Sequence, residues 1–195
     1  MKKVAILEPG AWGTALGILL SKKDEVSFWY ENSEFSTKLS KFRENERLPG
    51  IKIPKKIFIL SDLRKAIKEA NLIIIASPSF NFRETLTRLK KCIGDSYVNC
   101  PPLMGIAKGI EKETLKLPSQ VVEEIFGKIP YAHLSGPGFA KEMLWDYARK
   151  ITLQDFLSCG PKYYEINKIL VLLHGYSFSK FLSYKTRSAN NRETD

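Results

Sequence analysis

The stretch VAILEPGAWGTALGILL, residues 4–20, decides the fold predicted for this chain. Its first four residues are all apolar, which is typical of a strand in a parallel sheet covered on both faces. A turn with Gly10 and Gly13 follows, and apolar residues then recur at helical spacing from Ala11 to Leu20. A buried strand, a glycine turn and a helix in this order predict the first unit of a dinucleotide-binding fold.

The rest of the chain alternates in the same way. Further strands are predicted within residues 25–29, 72–79, 96–110 and 131–135, and helices over residues 61–71, 81–93 and 119–126. Residues 32–57 are a polar excursion in which proline and glycine break regular structure. Alternating strands and helices predict an α/β fold, a Rossmann-like, doubly wound and mainly parallel sheet with helices on both faces.

One residue of the glycine turn departs from the dinucleotide fingerprint, because Glu8 stands where the first glycine is expected. Gly10 and Gly13 can still let the backbone approach a pyrophosphate and let the helix pack on the sheet. If position 8 requires a positive φ, a residue other than glycine costs about 1–2 kcal/mol there. A carboxylate about 5 Å from a phosphate adds about 3 kcal/mol of repulsion at an effective dielectric near 20. We therefore expect Glu8 to weaken cofactor binding.

An acidic residue follows the second predicted strand, since Glu31 lies 18 residues after Gly13. A carboxylate at this place accepts hydrogen bonds from an adenosine ribose and repels a 2′-phosphate. The pattern therefore favours NAD over NADP as the cofactor. A solvated loop acid remains the alternative reading of Glu31.

Composition restricts the remaining function classes. The net charge is +10, but basic and acidic residues are interleaved along the chain, which indicates a solvated surface rather than a nucleic-acid site. Three cysteines and two histidines lack metal-ligand spacing, so no metal site is predicted. No apolar run reaches the roughly 20 residues of a membrane span, and the N-terminus lacks a signal-peptide pattern. We expect a cytoplasmic protein that binds small anions such as phosphates.

Four stretches together carry a specific family resemblance. The stretches are GAWGTALGILL at 10–20, ENERLPGIKIP at 44–54, MGIAKGIEKET at 104–114 and LSGPGFAKE at 134–142. In their order and spacing they strongly resemble the N-terminal half of NAD(P)-dependent glycerol-3-phosphate dehydrogenase, over about residues 1–143. The resemblance implies NAD-dependent interconversion of dihydroxyacetone phosphate and sn-glycerol 3-phosphate in phospholipid synthesis.

The resemblance, with the fingerprint reading, also implies a set of site residues. The expected cofactor-binding residues are Gly10, Ala11, Trp12, Gly13, Glu31, Asn32, Lys108 and Ala140. The expected substrate-binding residues are Lys108, Gly136 and Gly138. Ala11 replaces the family's usual serine, Gly138 replaces a usual serine or threonine, and Glu31 and Asn32 stand where members often carry histidine or arginine. The last departure again disfavours NADP.

Lys108 has independent support, because it is a lone cation at the end of a predicted apolar strand, next to a glycine. Open parallel sheets bind ligands at this edge, where an ammonium can pair with a phosphate or polarise a ketone oxygen. An ordinary surface lysine is the alternative. Likewise, SGPG at 135–138 is either part of the substrate site or a plain turn between a strand and a helix.

The resemblance decays after Met143, which predicts a dinucleotide-binding domain at 1–143 and a divergent segment at 144–195 with a frayed tail. The family's helical domain, with an acid/base lysine in a GGALKN motif, has no counterpart in this sequence. No catalytic residue is therefore assigned, and His174 and Lys180 are poor substitutes. Without a proton donor, ketone reduction loses about two to four decades in rate.

Three hypotheses follow for the protein's role. It is a truncated or degenerate dehydrogenase that is impaired or inactive alone, or it is a noncatalytic NAD-binding module completed by a partner chain. The third hypothesis, binding of RNA through the basic surface, predicts retention that depends steeply on salt. Apolar surface left bare at the sheet end should also favour self-association.

Overall fold

The computed structural model describes residues 2–94, 100–134 and 140–144 of the chain. Strands and helices alternate through these residues. In chain order they are β1 (Lys3–Leu7), α1 (Ala11–Leu20), β2 (Glu25–Trp29), α2 (Ser33–Phe42), β3 (Phe58–Leu60), α3 (Leu63–Ile67), β4 (Leu72–Ile75), α4 (Ser79–Ile93), β5 (Leu103–Gly105), α5 (Pro118–Phe126), β6 (Tyr131–His133) and α6 (Ala140–Leu144).

The six strands form one sheet in the order β3-β2-β1-β4-β5-β6, and every neighbouring pair is parallel. In the centre of the sheet, Val4 of β1 lies between Val26 of β2 and Leu72 of β4. The strand order reverses between β1 and β4, which is where doubly wound sheets open a ligand crevice. The predicted Rossmann-like fold is confirmed.

Both faces of the central strands are buried, as their unbroken apolar sequences predict. In β1, Val4 and Ile6 belong to the core on one face, while Ala5 and Leu7 belong to the core on the other. Successive side chains of a strand point to opposite faces, so a strand covered twice needs apolar residues at every position. This double burial holds the ends of β1, β4 and β5 in fixed positions.

Helix α1 packs unusually close to the sheet because two of its residues lack side chains. A Cβ on Gly13 would lie 2.8 Å from Cβ of Ala76, and a Cβ on Gly17 would lie 2.2 Å from Cε1 of Phe28. Both distances are too short for a real contact, so glycine is required for this packing. The role predicted for Gly13 is therefore supported by the structure.

The segment expected to be irregular contains helix α2, which the sequence analysis missed. Asn32 caps the helix by accepting a hydrogen bond from the Phe35 N–H at 2.9 Å. Arg43 ends it with a φ of 54°. Only two core-directed apolar residues, Phe35 and Leu39, mark α2 in the sequence, which is too few for a clear helical period. The following turn is not a free loop either, because Leu48 is 1% exposed.

The helix expected at residues 61–71 is shorter in the structure. Asp62 caps α3 as the sequence suggests, with its Oδ1 accepting from the Lys65 N–H at 3.2 Å. Lys68 then leaves the helical conformation with a ψ of 122°, and Glu69 has a φ of 60°. The chain must turn there to enter β4.

Helix α6 packs against α1. Outside the described residues lie 135–139, with Gly136 and Gly138, and 145–195, with Cys159, His174 and Lys180. In the described part of the chain, no helix is long and apolar enough to cross a membrane. The same residues hold no group of histidine, cysteine and carboxylate side chains suited to a metal ion.

Candidate functional site

Two segments meet at the carboxyl edge of the sheet, and we name them the glycine turn (residues 8–13, after β1) and the lysine loop (residues 106–111, after β5). A Cβ on Gly13 would lie 3.7 Å from Cδ1 of Ile106. Ala76, at the end of β4, lies against the same glycine. The predicted phosphate turn and the segment that carries Lys108 are thus neighbours at the switch point of the sheet.

The backbone of the glycine turn has the conformation that its fingerprint requires. Glu8 has a φ of 53°, the left-handed region that glycine adopts without strain. The strain of about 1–2 kcal/mol expected for a residue other than glycine therefore applies. Gly10 precedes α1 and offers no side-chain cap. A Cβ there would meet only Nη1 of Arg47, at 3.7 Å, so within the described residues no steric contact demands glycine at position 10.

The Glu8 carboxylate is held by the protein rather than released into water. Its Oε1 accepts a hydrogen bond from the Glu31 N–H at 2.6 Å, which ties the end of β1 to the end of β2. Burial raises the pKa of Glu8, the negative charge of Glu31 raises it further, and the Glu31 hydrogen bond and two nearby arginines oppose the rise. An acid thus lies at the glycine turn, and its pKa is raised above the ordinary value for a glutamate.

Two buried polar side chains hold the other side of the glycine turn. The Tyr30 hydroxyl donates to the Pro9 carbonyl at 2.9 Å, and Asn45 Nδ2 donates to the same carbonyl at 3.3 Å. Asn45 Nδ2 also donates to Oγ1 of Thr14 in α1, at 2.8 Å. Burial raises the pKa of Tyr30 strongly, so the phenol stays a donor. Sequence analysis gave neither residue this role.

An open cavity of about 390 Å³ lies beside the glycine turn, between the end of β2 and the start of α4. Its lining carries three carboxylates; the lining residues are Glu8, Glu31, Asn32, Asn81, Glu84 and Thr85. This place corresponds to the adenosine side of a dinucleotide crevice. An anion that entered this cavity would meet three carboxylates.

Glu31 is not a free acceptor in this cavity. One of its oxygens pairs with Nη2 of Arg88 at 2.6 Å, and the same nitrogen reaches Oε1 of Glu84 at 2.8 Å. Asn32 lines the cavity while its Oδ1 caps α2, which leaves the side-chain NH₂ to face a ligand. A ribose would therefore share Glu31 with Arg88. Glu84 and Arg88 are spaced one helical turn apart on α4, and this spacing is the sequence signal that could have indicated that Arg88 forms ion pairs here.

The lysine loop presents Lys108 to solvent on a firmly held backbone. Ile106 and Ala107 are buried, Lys108 is exposed, and Gly109 has a φ of 101°. The Ile106 N–H donates to the Ile75 carbonyl at 3.1 Å, which extends the strand pairing into the loop. Lys108 thus follows the carboxyl end of β5, as the sequence analysis expected, and its exposure fits both the ligand contact and the alternative of an ordinary surface lysine.

A histidine from the neighbouring strand holds the residue before Lys108. His133 Nε2 lies 2.9 Å from the Ala107 carbonyl, and its Nδ1 lies 2.8 Å from the Tyr131 hydroxyl. A carbonyl only accepts, so Nε2 donates and Nδ1 accepts from the tyrosine. Burial lowers the pKa of His133, in agreement with a neutral ring. A Cβ on Gly105 would lie 2.2 Å from the Tyr131 oxygen, so this pair also requires that glycine.

The far end of the lysine loop is fixed by an ion-pair network. Arg83 of α4 binds Glu111 through Nε and Nη2, at 2.7 and 2.9 Å, and also binds Glu124 of α5 at 2.9 Å. Thr114 donates to Glu111 as well. The Arg83 hydrogen bonds lower the pKa of Glu111 and, with Lys116, hold that of Glu124 at about 2. Sequence analysis did not find this network.

The other predicted site residues are only partly located by the structure. Ala11 and Trp12 are half-buried against the core at the start of α1, and Ala140 is packed against the same core at the start of α6. Ala140 therefore lies on the α1 side of the crevice. Gly136 and Gly138 fall outside the described residues. The binding roles of all ten predicted residues remain predictions.

Comparison with known proteins gives a family for this arrangement. The model of the NAD-dependent glycerol-3-phosphate dehydrogenase N-terminus matches residues 3–155. The match therefore runs past Met143, where the sequence resemblance was judged to decay.

Individual relatives agree with the family match. The chain is 38% identical over 144 residues to a glycerol-3-phosphate dehydrogenase [NAD(P)+] of Dechloromonas aromatica, covering 72% of this chain and 42% of that protein. It is 38% identical over 161 residues to the protein of the same name from Syntrophomonas wolfei, covering 80% and 46%. The crystal structure of glycerol-3-phosphate dehydrogenase from Coxiella burnetii superposes with a TM-score of 0.65 at 31% identity, covering 72% and 42%. The chain spans less than half the length of these relatives.

Proposed function

This chain belongs to the NAD-dependent glycerol-3-phosphate dehydrogenase family, and from this premise we propose that its described domain binds NAD across the carboxyl edge of the sheet. One observation carries the proposal. The glycine turn reproduces the required backbone at the switch point, including the positive φ at position 8 and the close packing of Gly13. The first N–H groups of α1 then face the pyrophosphate, where the helix dipole also favours an anion.

The acid-lined cavity supports NAD over NADP. Glu8, Glu31 and Glu84 place three carboxylates around the expected ribose, and Arg88 is paired with two of them. A 2′-phosphate would enter a region that is already negative, whereas a ribose hydroxyl can donate to Glu31. We expect NADH to bind more tightly than NADPH, with both weakened by Glu8.

Lys108 is the proposed contact for a small phosphorylated ketone, dihydroxyacetone phosphate by family membership. Its exposed ammonium can pair with the phosphate or polarise the ketone oxygen, as in charge stabilisation at other active sites. The bound nicotinamide supplies the hydride for reduction to sn-glycerol 3-phosphate. The proposal also includes substrate binding by Gly136 and Gly138 and a domain division at residue 143. It further includes a cytoplasmic role in phospholipid synthesis.

Reduction of a ketone also needs a proton donor, and the described residues do not offer one beside Lys108. His133, the nearby imidazole, has both ring nitrogens engaged and a lowered pKa. We therefore propose that the 195-residue chain binds cofactor but, by itself, reduces the ketone slowly or not at all.

A second candidate is a noncatalytic NAD-binding subunit that is completed by a partner chain or by self-association. The observation in its favour is exposed apolar surface near the carboxyl edge. Phe80, at the start of α4, is 76% exposed, and Leu115, after the lysine loop, is 69% exposed. Sedimentation at increasing concentration tests this candidate, and a monomer throughout would count against self-association.

The direct test is calorimetry with NADH, followed by turnover of dihydroxyacetone phosphate in the same sample. We expect saturable NADH binding with little turnover. Absence of binding by a folded chain would refute the proposed cofactor role, and rapid turnover would refute the proposal that the 195-residue chain by itself reduces the ketone slowly or not at all.

A further inference from the structure

Arg47 lies against the glycine turn with its charge uncommitted. Its Nη1 is 3.7 Å from the position of a Cβ on Gly10, the glycine over which a dinucleotide's pyrophosphate is expected to pass. The residue is exposed, and within the described ranges its guanidinium makes no hydrogen bond or ion pair. Arg83 and Arg88, by contrast, are each bound to two carboxylates.

The backbone that carries Arg47 is fixed to the glycine turn itself. Asn45 is 2% exposed and spends its NH₂ group on the Pro9 carbonyl and the Thr14 hydroxyl. Its Oδ1 accepts from the Arg47 N–H at 3.0 Å, and the buried Leu48 anchors the chain beyond. The backbone at Arg47 is therefore held firmly against the glycine turn.

A second observation ties this charge to Glu8. The Arg47 charge lowers the pKa of Glu8, against the larger effect of burial. The positive charge of Arg47 thus partly compensates the negative charge of Glu8, the acid that departs from the glycine fingerprint. Arginine also suits this position chemically, since its planar fork binds phosphate oxygens in pairs.

We propose that Arg47 is a pyrophosphate-binding residue, contributed by the segment between α2 and β3, that offsets the negative charge of Glu8. The assignment rests on the proposed NAD binding. Its ligand class is a nucleoside diphosphate or dinucleotide, bound at the phosphates and not at the base. An ordinary solvated arginine would instead leave all nucleotides unaffected when it is replaced.

The experiment titrates the wild-type chain, Arg47→Gln and Arg47→Lys with NADH, ADP and adenosine by calorimetry. Loss of a charge-assisted contact should weaken NADH and ADP about tenfold to a hundredfold in Arg47→Gln. Arg47→Lys should fall between, because it keeps the charge and loses the fork. Binding of adenosine should be unchanged, and the salt dependence of ADP binding should become shallower in Arg47→Gln. The melting temperature should change little, since the guanidinium makes no hydrogen bond or ion pair with the described residues and acts on Glu8 only through its charge.

Lys23→Gln is the matched control, because Lys23 is an exposed cation in the turn after α1, at the opposite edge of the sheet. It should bind every ligand as the wild type does. The assignment would be overturned if Arg47→Gln bound NADH and ADP as tightly as the wild type does. It would also be overturned if the variant lost as much affinity for adenosine as for NADH and ADP. If the wild type binds ADP in an Arg47-dependent way but not NADH, the proposed function fails while this assignment stands. If it binds neither, both fail.

Discussion

The glycine turn and the lysine loop reach the same edge of the sheet by opposite routes. The glycine turn breaks its sequence fingerprint at Glu8 yet keeps the backbone, because Glu8, Tyr30 and Asn45 hydrogen-bond it in place. The lysine loop keeps its family motif, but its backbone is fixed by His133 and by Arg83, which lie outside that motif. The geometry of both segments therefore depends on side chains distant in sequence, whether or not the local motif is intact.

The largest effect is expected from a side chain at Gly13, inside the glycine turn. Gly13→Val places atoms within 2.8 Å of Ala76 and 3.0 Å of Pro9, so α1 must move away from the sheet. We expect a loss of about 2–3 kcal/mol in the free energy of unfolding and loss of measurable NADH binding. Urea denaturation and calorimetry measure the two effects.

Gly10→Ala is the informative control, because its Cβ meets only the flexible end of Arg47 within the described residues. It should fold with nearly unchanged stability while NADH binding still weakens, since the added methyl occupies the path of the pyrophosphate. If Gly10→Ala binds NADH as tightly as the wild type does, the pyrophosphate does not bind at this turn.

Replacing Glu8 by glycine restores the fingerprint and tests how strongly Glu8 weakens NADH binding. Glu8→Gly removes both the strain and the charge, and we expect NADH affinity to rise about tenfold to a hundredfold. Glu8→Gln keeps the acceptor for the Glu31 N–H and removes only the charge, so its gain should be smaller. Equal affinities in all three proteins would contradict the account of Glu8.

The raised pKa of Glu8 adds a pH dependence to this test. The neutral form is favoured in the folded state, so its contribution to stability is present below the ordinary value of 4.5 and is lost as pH rises through the folded pKa. Wild-type NADH binding should therefore tighten as pH falls through that range, and Glu8→Gln should lack this component. The same pH profile in both proteins would assign the titration to another group.

His133 tests the lysine loop in the same manner. His133→Phe leaves the buried Ala107 carbonyl and the Tyr131 hydroxyl without their partner, which should cost about 1–3 kcal/mol in the free energy of unfolding. Tyr131→Phe removes one hydroxyl and should cost less. Denaturant titration separates the two, and a His133→Phe protein as stable as the wild type would show that the histidine does not hold the loop.

The smallest effect is expected at the exposed ion pairs. Glu111→Gln should cost no more than about 1 kcal/mol at neutral pH, because its partner Arg83 is one-third exposed. The lowered pKa of Glu111 means that its stabilisation is present above 4.5 and is lost as pH falls below that value. Acid titration of stability should show the full loss in the wild type and in Glu113→Gln, an exposed neighbour, and a smaller loss in Glu111→Gln, in which Glu124 still pairs with Arg83 and Lys116.

Sequence patterns predicted the parts of the fold where hydrophobic periodicity is strong. The buried strands β1 and β4 and the helix α1 were confirmed, since their apolar residues are contiguous or helically spaced. Helix α2 was missed because its surface is mostly polar, and α3 was predicted too long because the backbone at Lys68 and Glu69 turns toward β4. Such turns depend on where the next strand lies, which no local pattern records.

The candidate site divides in the same way. Gly13 and Lys108 could be placed at the carboxyl edge of the sheet because each follows a recognisable strand, and their binding roles stay predictions. Asn45 and His133 hold the site through contacts with residues far away in sequence, and Arg47, for which a role is proposed, comes near Gly10 only in the fold. Asn45 and Arg47 lay within a quoted family motif, which was the available signal, but their bonding partners could not be read from it.

The central claim is that the glycine turn receives the pyrophosphate at the first turn of α1. The most direct measurement is a crystal structure of the chain with NADH bound. The account predicts phosphate oxygens within hydrogen-bonding distance of the N–H groups at the start of α1, with the Arg47 guanidinium beside them. A nucleotide bound elsewhere, with that turn free of phosphate, would contradict it.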